Sequence, residues 1–403
     1  MEREDMENSK DTSLLTRRRK IILINVRRVV GARGGVEKVF CDMANYFASI
    51  GHTVTALCLD AKQGLPGFSL SENVCFVNAW KRKSLLSSGF FEVLRTFSFK
   101  KNIRRLKRQK LELQWQIECI KAALVKIGEA DLYICFQPRA TNILSFILDQ
   151  NKSIITMIHG GSDFIAKICQ RSLTIDALHR SNVVTVLLPS YVKEIKKHSE
   201  VPVWAMPNAV CQFNQPASLN QKKIVCIARL SPEKRIELLV RAFNLIKDDI
   251  SEWDVEFWGE INVKPKYRNV ILQLINKLEL KDRFRFCNTT SDIERVLQRA
   301  SIFVFPSATE GFGLALCEAM SKGVAVVGCK DCSAVNELII DERNGLLTEP
   351  TPEAMAEAIK RLALDRNLRL RLGTQARYDM KKYSAENVWK IWDELVNYVT
   401  ARN

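Results

Sequence analysis

Apolar and polar positions fall in blocks along this chain, and the blocks predict an α/β protein. "KIILINV" is a short, almost wholly apolar run of the kind a buried parallel strand requires. "GARGGVEKVFCDMANYFASIG" follows as a glycine loop opening into a helix that stops at Gly51, and "HTVTALCLD" is the next strand. "ADLYICFQP", "SIITMIHGG" and "NVVTVLLPS" are further apolar runs, each closed by Pro or Gly and spaced for helices between them. Residues 204–223 break the rhythm with Pro207, Pro216 and several glutamines and asparagines, so the domain boundary is placed there.

A second strand–loop–helix series then begins with "KKIVCIA" and runs through "DVEFWGE", "RFRFCNTT", "SIFVFPS" and "GVAVVGC". From 350 onward the pattern is helical, ending in "SAENVWKIWDELVNYVTA", where Ser384 is placed to cap and Val388, Ile391, Trp392, Leu395 and Val399 form one stripe. The fold class is therefore α/β with two Rossmann-like parallel sheets. The expected divisions are a charged leader at 1–19, taken as disordered, an N-terminal domain at 20–210, a C-terminal domain at 211–383 and a last helix at 384–403.

Charge and cysteine usage narrow the partners. Lys plus Arg is 61 against 45 for Asp plus Glu, a formal charge of +16, which favours a phosphate-bearing ligand, an anionic membrane surface or nucleic acid. No binding motif accompanies the charge, so nucleic acid is not expected. "KKNIRRLKRQK" at 100–110 is either a solvated helix face or a patch for anionic lipid headgroups, with "GFFEVLRTFSF" just upstream. Twelve cysteines lie mostly inside apolar runs, as free thiols do in a reducing compartment. One CxxC, Cys329 to Cys332, and four histidines are too few for a metal site, and none is expected. The charged first twenty residues show no signal peptide and no apolar run approaches a spanning length, so a cytoplasmic place is expected.

Two stretches carry the chemistry. In "IARLSPEKR", Arg229 falls at the carboxyl end of a strand, where open α/β sheets hold ligands. Ser231 reads as a helix N-cap and Pro232 as the first helical residue, which puts Lys234 and Arg235 in a first turn whose dipole disfavours cations. A bound diphosphate resolves that conflict; two solvated cations are the plain alternative. In "EGFGLALCE", Glu310 lies in a strand-to-helix loop. Gly311 and Gly313 leave the amides of the Gly311-Phe312-Gly313-Leu314 turn free to donate. Glu318 lies one turn into the helix among Leu316, Cys317, Ala319 and Met320, where a partly buried carboxylate needs partners such as sugar hydroxyls.

Taken together, these residues resemble the retaining glycosyltransferases of the GT-B fold, in the family 4 group (glycosyl transferases group 1). "EGFGLALCE" is similar to that family's E-x7-E motif, "ARLSPEK" to its G-[RK]-L-x-x-x-K segment and "GGVEK" to its N-terminal glycine loop. "ASIGHTVT", "MPNAV" and "SAVNELIIDERNGLLTEP" resemble further family segments in the right order. The resemblance implies a hexosyl transfer from a nucleotide-diphosphate sugar to a glycan or lipid-linked glycan of cell-surface type. Arg229 and Lys234 would neutralise the diphosphate, Glu318 would bind the ribose, and Glu310 would contact the donor sugar. His159, in "MIHGGSDF", would orient the sugar from the N-terminal domain, and Gly34 and Gly35 would approach the donor phosphates or the acceptor. The last helix would cross back to the N-terminal domain. No cofactor or divalent metal is implied, since the chain has no Asp-x-Asp pair. A peripheral place at the inner membrane face would suit a lipid-linked acceptor.

Departures from the family pattern are Ala228 before Arg229, a single Gly259 after "VEFW", and "GCKDCSAVNE" without paired glycines before Glu337. Two other classes compete. A nicotinamide oxidoreductase would also be α/β, but "GARGGV" is not G-x-G-x-x-G and Asp60 is a weak ribose ligand. A non-catalytic adaptor for membranes or anionic polymers would use the charge without needing the Glu310/Glu318 and Arg229/Lys234 sets.

Overall fold

The computed structural model describes residues 17–81 and 101–401, with side chains from 108 onward in the second stretch. The leader before residue 17, "GFFEVLRTFSF" and the side chains of 100–107 in the basic segment lie outside the described residues. The backbone from Lys101 belongs to the helix Lys101–Ile127.

Among the described residues thirteen short strands form two sheets, and paired strands run parallel, as the near-continuous apolar runs predict. The first sheet holds β1 (Lys20–Asn25), β2 (Thr53–Cys58), β3 (Val74–Asn78), β4 (Leu132–Cys135), β5 (Ile154–Ile158), β6 (Val183–Val186) and β7 (Val203–Ala205), in the order β3-β2-β1-β4-β5-β6-β7. The second holds β8 (Lys223–Ile227), β9 (Asp254–Trp258), β10 (Phe284–Cys287), β11 (Ile302–Phe305), β12 (Ala325–Cys329) and β13 (Leu346–Thr348), in the order β10-β9-β8-β11-β12-β13. In each, the first strand lies inside the sheet, its next two neighbours are laid to one side, and the fourth is laid to the other. That reversal creates a switch point between β1 and β4, and again between β8 and β11, where the loops leaving two adjacent strands part and open a crevice.

The strands β3, β7 and β13 were not evident in the apolar blocks. They are three to five residues long, and β3 and β7 carry half-buried side chains, so the block pattern that marks central strands is weak there. By its contacts the chain groups into two compact units. One runs to Met157 and includes Asp176–Asn182 and the chain from Tyr398; the other comprises Ile158–Ile175 and Val183–Asn397. The first has a core in which Ile22, Ile24 and Leu57 pack with Ile120, Tyr133 and Ile143. The second packs Leu239 and Phe243 of the helix Ile236–Ile246 and Ile359 of the helix Pro352–Leu364 on the strand residues Ile224, Phe257, Ile302 and Val327. No helix among the described residues is long and apolar enough to cross a membrane.

All twelve cysteines are free thiols, and only Cys75 and Cys211 are exposed. Burial pushes the Cys329 and Cys332 thiols of the CxxC up to about 11 and those of Cys135 and Cys226 to about 12. A buried thiol ionises only as the pH climbs toward that value, so it stays protonated and unreactive at neutral pH. Titration of the native protein with a disulfide reagent at pH 8 is expected to show two fast thiols, with the buried ones appearing on denaturation. Fast modification of Cys329 or Cys332, read by peptide mass, would refute this. Among the described residues no cluster of His, Cys, Asp and Glu has metal-site geometry.

Candidate active site at the switch point of the second sheet

The loop after β8 differs from the expectation of a capped α-helix. Pro232–Lys234 form one 3-10 turn, Arg235 takes the left-handed conformation at φ 48°, and the α-helix begins only at Ile236. Ser231 does not cap it; its hydroxyl donates to Glu233 Oε1 at 2.6 Å. Lys234 and Arg235 therefore precede the helix instead of occupying its first turn. Glu233 takes the Ser231 hydroxyl that would have capped a helix, and the Lys234 amide donates to Ser231 O at 2.9 Å, which closes the 3-10 turn.

Arg235 is held in its left-handed state by a two-point bridge to Asp331, with Nη1–Oδ1 at 3.1 Å and Nη2–Oδ2 at 2.6 Å. A left-handed residue with a Cβ is uncommon, and a bidentate bond of this kind offsets its cost. Asp331 lies between the two cysteines of the CxxC, which gives that loop a role the sequence did not suggest. The Asp331 hydrogen bond in turn holds the Arg235 guanidinium above its ordinary range. For Glu233, burial works toward protonation, but the Ser231 hydroxyl, its own amide, Lys234 and Arg229 outweigh it and keep the carboxyl below its ordinary range.

The loop after β11 meets this turn across the switch point. The Ala308 amide donates to the Glu233 carbonyl at 2.8 Å, and Lys234 Nζ lies 2.5 Å from Glu310 Oε1. Both side chains are only 12% exposed, so the pair is a well-shielded charge contact and not a solvated one. Neighbouring Arg229 is exposed and makes no ion pair among the described residues. One ammonium proton of Lys234 is committed to Glu310, which leaves two for an anionic ligand. Beyond Glu310, Gly313 takes φ 79° and starts the helix Leu314–Ser321, whose first amides are the unpaired donors of any helix start.

Residues 211–379 match the family Glycosyl transferases group 1. Residues 211–379 are thus similar to a group 1 glycosyltransferase domain. The chain's architecture is that of the GT-B fold. A sucrose-phosphate synthase from Thermosynechococcus elongatus superposes with a TM-score of 0.77 at 19% identity, covering 96% of this chain and all of that one. A variant of TarM from S. aureus, solved with Fondaparinux, alpha-GlcNAc-glycerol and UDP, gives 0.73 at 17% identity, covering 94% of this chain and all of that one. In sequence, an uncharacterized glycosyltransferase of Haemophilus influenzae is 22% identical over 368 residues, 91% of this chain and 97% of that protein. Other curated relatives are matched over only 24% to 46% of their own length.

The remaining predicted residues of the glycosyltransferase fall in three groups. Glu318 is half-buried on the helix Leu314–Ser321, one turn in from the loop, as expected. Phe312 differs from a ligand contact through its ring: it is 2% exposed and packs edge-on against Tyr383, centroids 5.3 Å apart, so only its backbone can face a ligand. Leu314 opens the helix.

His159 follows β5 and belongs to the same compact unit as Glu310. The backbones of their loops touch. A Cβ on Gly161 would collide with the Glu310 carbonyl oxygen, and one on Gly311 with the His159 carbonyl oxygen. Tyr191, absent from the sequence reading, adds a third point, with its hydroxyl 3.4 Å from the Glu310 carbonyl and 3.3 Å from Ser333 Oγ. Burial pushes the Tyr191 phenol up to about 12, so it stays a neutral donor. Ser190 beside it donates to Glu337. Nothing in "PSYVKEIK" marks these two residues, because a lone Ser-Tyr pair at a helix start is common. Gly34 and Gly35 lie in the other unit, where Gly34 is the N-cap of the helix Gly35–Ser49 and the Glu37 carboxylate folds over it.

Proposed function

We propose that this glycosyltransferase is a retaining enzyme that moves a hexose-type sugar from a nucleotide-diphosphate donor to a glycan or lipid-linked glycan acceptor. The observation that carries the reading is the shielded Lys234–Glu310 pair at the β8/β11 switch point. Two charged residues far apart in sequence converge at the position where an open sheet binds nucleotides. The donor diphosphate takes its counter-charge from Arg229 and the free protons of Lys234. The amides of the 311–314 turn add neutral donors, and the Glu318 carboxylate accepts from ribose hydroxyls.

Breaking the anomeric C–O bond builds positive charge on the sugar and negative charge on the departing diphosphate. Cations already aimed at the diphosphate stabilise that separation more than they stabilise the intact donor, which is the requirement for catalysis. Glu310, with its carboxylate anchored by Lys234, faces the sugar side, and His159 orients the sugar through a hydrogen bond. This charge set replaces a divalent ion, so transfer is expected to survive chelation by EDTA. The relatives support the class of donor: the S. aureus protein was solved with UDP. Retention rests on the likeness of "EGFGLALCE" to the E-x7-E motif.

The test is a panel of nucleoside diphosphates and their sugars read by melting temperature, since a ligand that binds only the folded state raises it. One nucleotide is expected to stabilise the protein, with about 2.7 kcal/mol gained at a hundredfold excess over Kd. No stabilisation by any member would overturn the reading. The anomeric coupling constant of the product, read by NMR, checks retention separately.

A further inference from the structure

A cavity that the donor reading leaves unused lies between the helices Ile236–Ile246 and Pro265–Lys277. Its volume is about 350 Å³, within the lower range of small-molecule sites. Tyr267, Val270 and Leu274 of the second helix give it an apolar wall, and Val270 is 55% exposed. Arg241 lines it from the first helix, and Lys277 from the carboxyl end of the second. Both cations are exposed, and neither pairs with an acid among the described residues. The acid in the lining, Glu237, is already engaged, because its carboxylate accepts from the Tyr267 hydroxyl. Two unpaired cations therefore border the cavity against one committed carboxylate, a balance that suits an anion.

The same phenol ties the cavity to the turn that carries Lys234. The Tyr267 hydroxyl accepts the Ile236 amide at 3.0 Å while it donates to Glu237. Ile236 opens its helix directly after Lys234 and the left-handed Arg235, and no side chain of that turn caps it. The missing cap is supplied by Tyr267 from 31 residues on. Burial, and then the Glu237 bond, pushes the phenol above its ordinary range, so it stays protonated and able to donate. An anion held by Arg241 and Lys277, with its body on Tyr267, shields these bonds from water. Hydrogen bonds strengthen where water is excluded, so the helix start opens less often when the cavity is filled.

We infer that this cavity binds a small organic anion with an apolar body, and that Tyr267 couples its occupancy to the Lys234 turn. The charged end belongs at Arg241 and Lys277, and the body lies on Tyr267, Val270 and Leu274. Neither half of the inference depends on a sugar donor: if no nucleotide binds at the switch point, the cavity is read unchanged. Phenyl phosphate is the probe, because it joins one oxyanion to one ring. Inorganic phosphate is the control for charge alone, and phenol for the ring alone. Each is titrated into the full-length protein by calorimetry. Hydrogen exchange is followed in parallel on peptides covering residues 231–238.

Phenyl phosphate is expected to bind about tenfold more tightly than either control. Arg241→Ala and Lys277→Ala should each weaken it about tenfold, the loss that follows one charge-assisted hydrogen bond. Arg229→Ala, at the switch point, should leave its affinity unchanged. Bound probe should slow exchange in the 231–238 peptides, and Tyr267→Phe should abolish that protection while keeping affinity within a few-fold. Melting curves check that each variant is folded; should the Phe variant melt early, exchange in the wild type alone decides the coupling. No binding, affinity no greater than for inorganic phosphate, or binding that follows Arg229 and ignores Arg241 and Lys277, overturns the site. Arginine-dependent binding with unchanged exchange at 231–238, or with full protection in a folded Tyr267→Phe, overturns the coupling.

Discussion

Replacing Lys234 by Ala, or Glu310 by Gln, is expected to lower sugar transfer about 10²–10³-fold, the usual loss when one preorganised charge contact at a reacting centre is removed. The two variants should fail differently. Without the Lys234 ammonium the diphosphate loses a direct partner, so nucleotide affinity falls with the rate. With Glu310→Gln the shape is kept and Lys234 still meets an oxygen, so nucleotide binding should hold within a few-fold while the chemical step collapses. Because the side chains stand 2.5 Å apart and are 12% exposed, the effects should not add. A double-mutant cycle on the rate is expected to give a coupling of about 1 kcal/mol or more. Melting curves for each variant separate lost chemistry from lost fold. Near-normal transfer by both would remove this pair from the site.

Gly161→Ala is the second large effect, and it works by contact alone. Gly161 has φ −76° and ψ −178°, a conformation any residue adopts, so its backbone imposes no glycine. The added methyl would instead run into the Glu310 carbonyl, and the Ser333 hydroxyl lies 3.3 Å from the same point. Forcing an extra carbon into such a contact costs about 1–3 kcal/mol. The loops bearing His159 and Glu310 must then part, so transfer should fall sharply, by far more than the loss of stability explains at room temperature. Gly311→Ala should act in the same way through the His159 carbonyl. Gly51→Ala is the control: nothing lies within 4 Å of its would-be Cβ, but its φ of +93° strains any side chain. That variant should lose stability and keep its rate. Equal rates for Gly161→Ala and the wild type would show that the loop contact has no part in the reaction.

Much of this was legible beforehand because its causes are local. Apolar blocks a few residues long, closed by Gly or Pro, specify buried parallel strands, and those blocks recovered every central strand. The stretch around Glu310 could be placed in a strand-to-helix loop because its flanks are unambiguous. Local reading failed where side chains compete with backbone. Ser231 looked like a helix cap until Glu233 took its hydroxyl, and Arg235 turned left-handed because Asp331, 96 residues on, supplies both oxygens. Phe312 looked available to a ligand until Tyr383 covered its ring.

By itself, then, the sequence determined the element types, the two-sheet class and the identity of the charged loops, since these depend on neighbours a few positions away. Only the tertiary structure decided which loops meet. Lys234 and Glu310 are 76 residues apart, and they touch because the chain lays β11 beside β8 after sending β9 and β10 to the other side. The same reversal sets Asn25 against Gln137 in the first sheet. Strand order is a property of the whole packed sheet, and no short window of residues contains it.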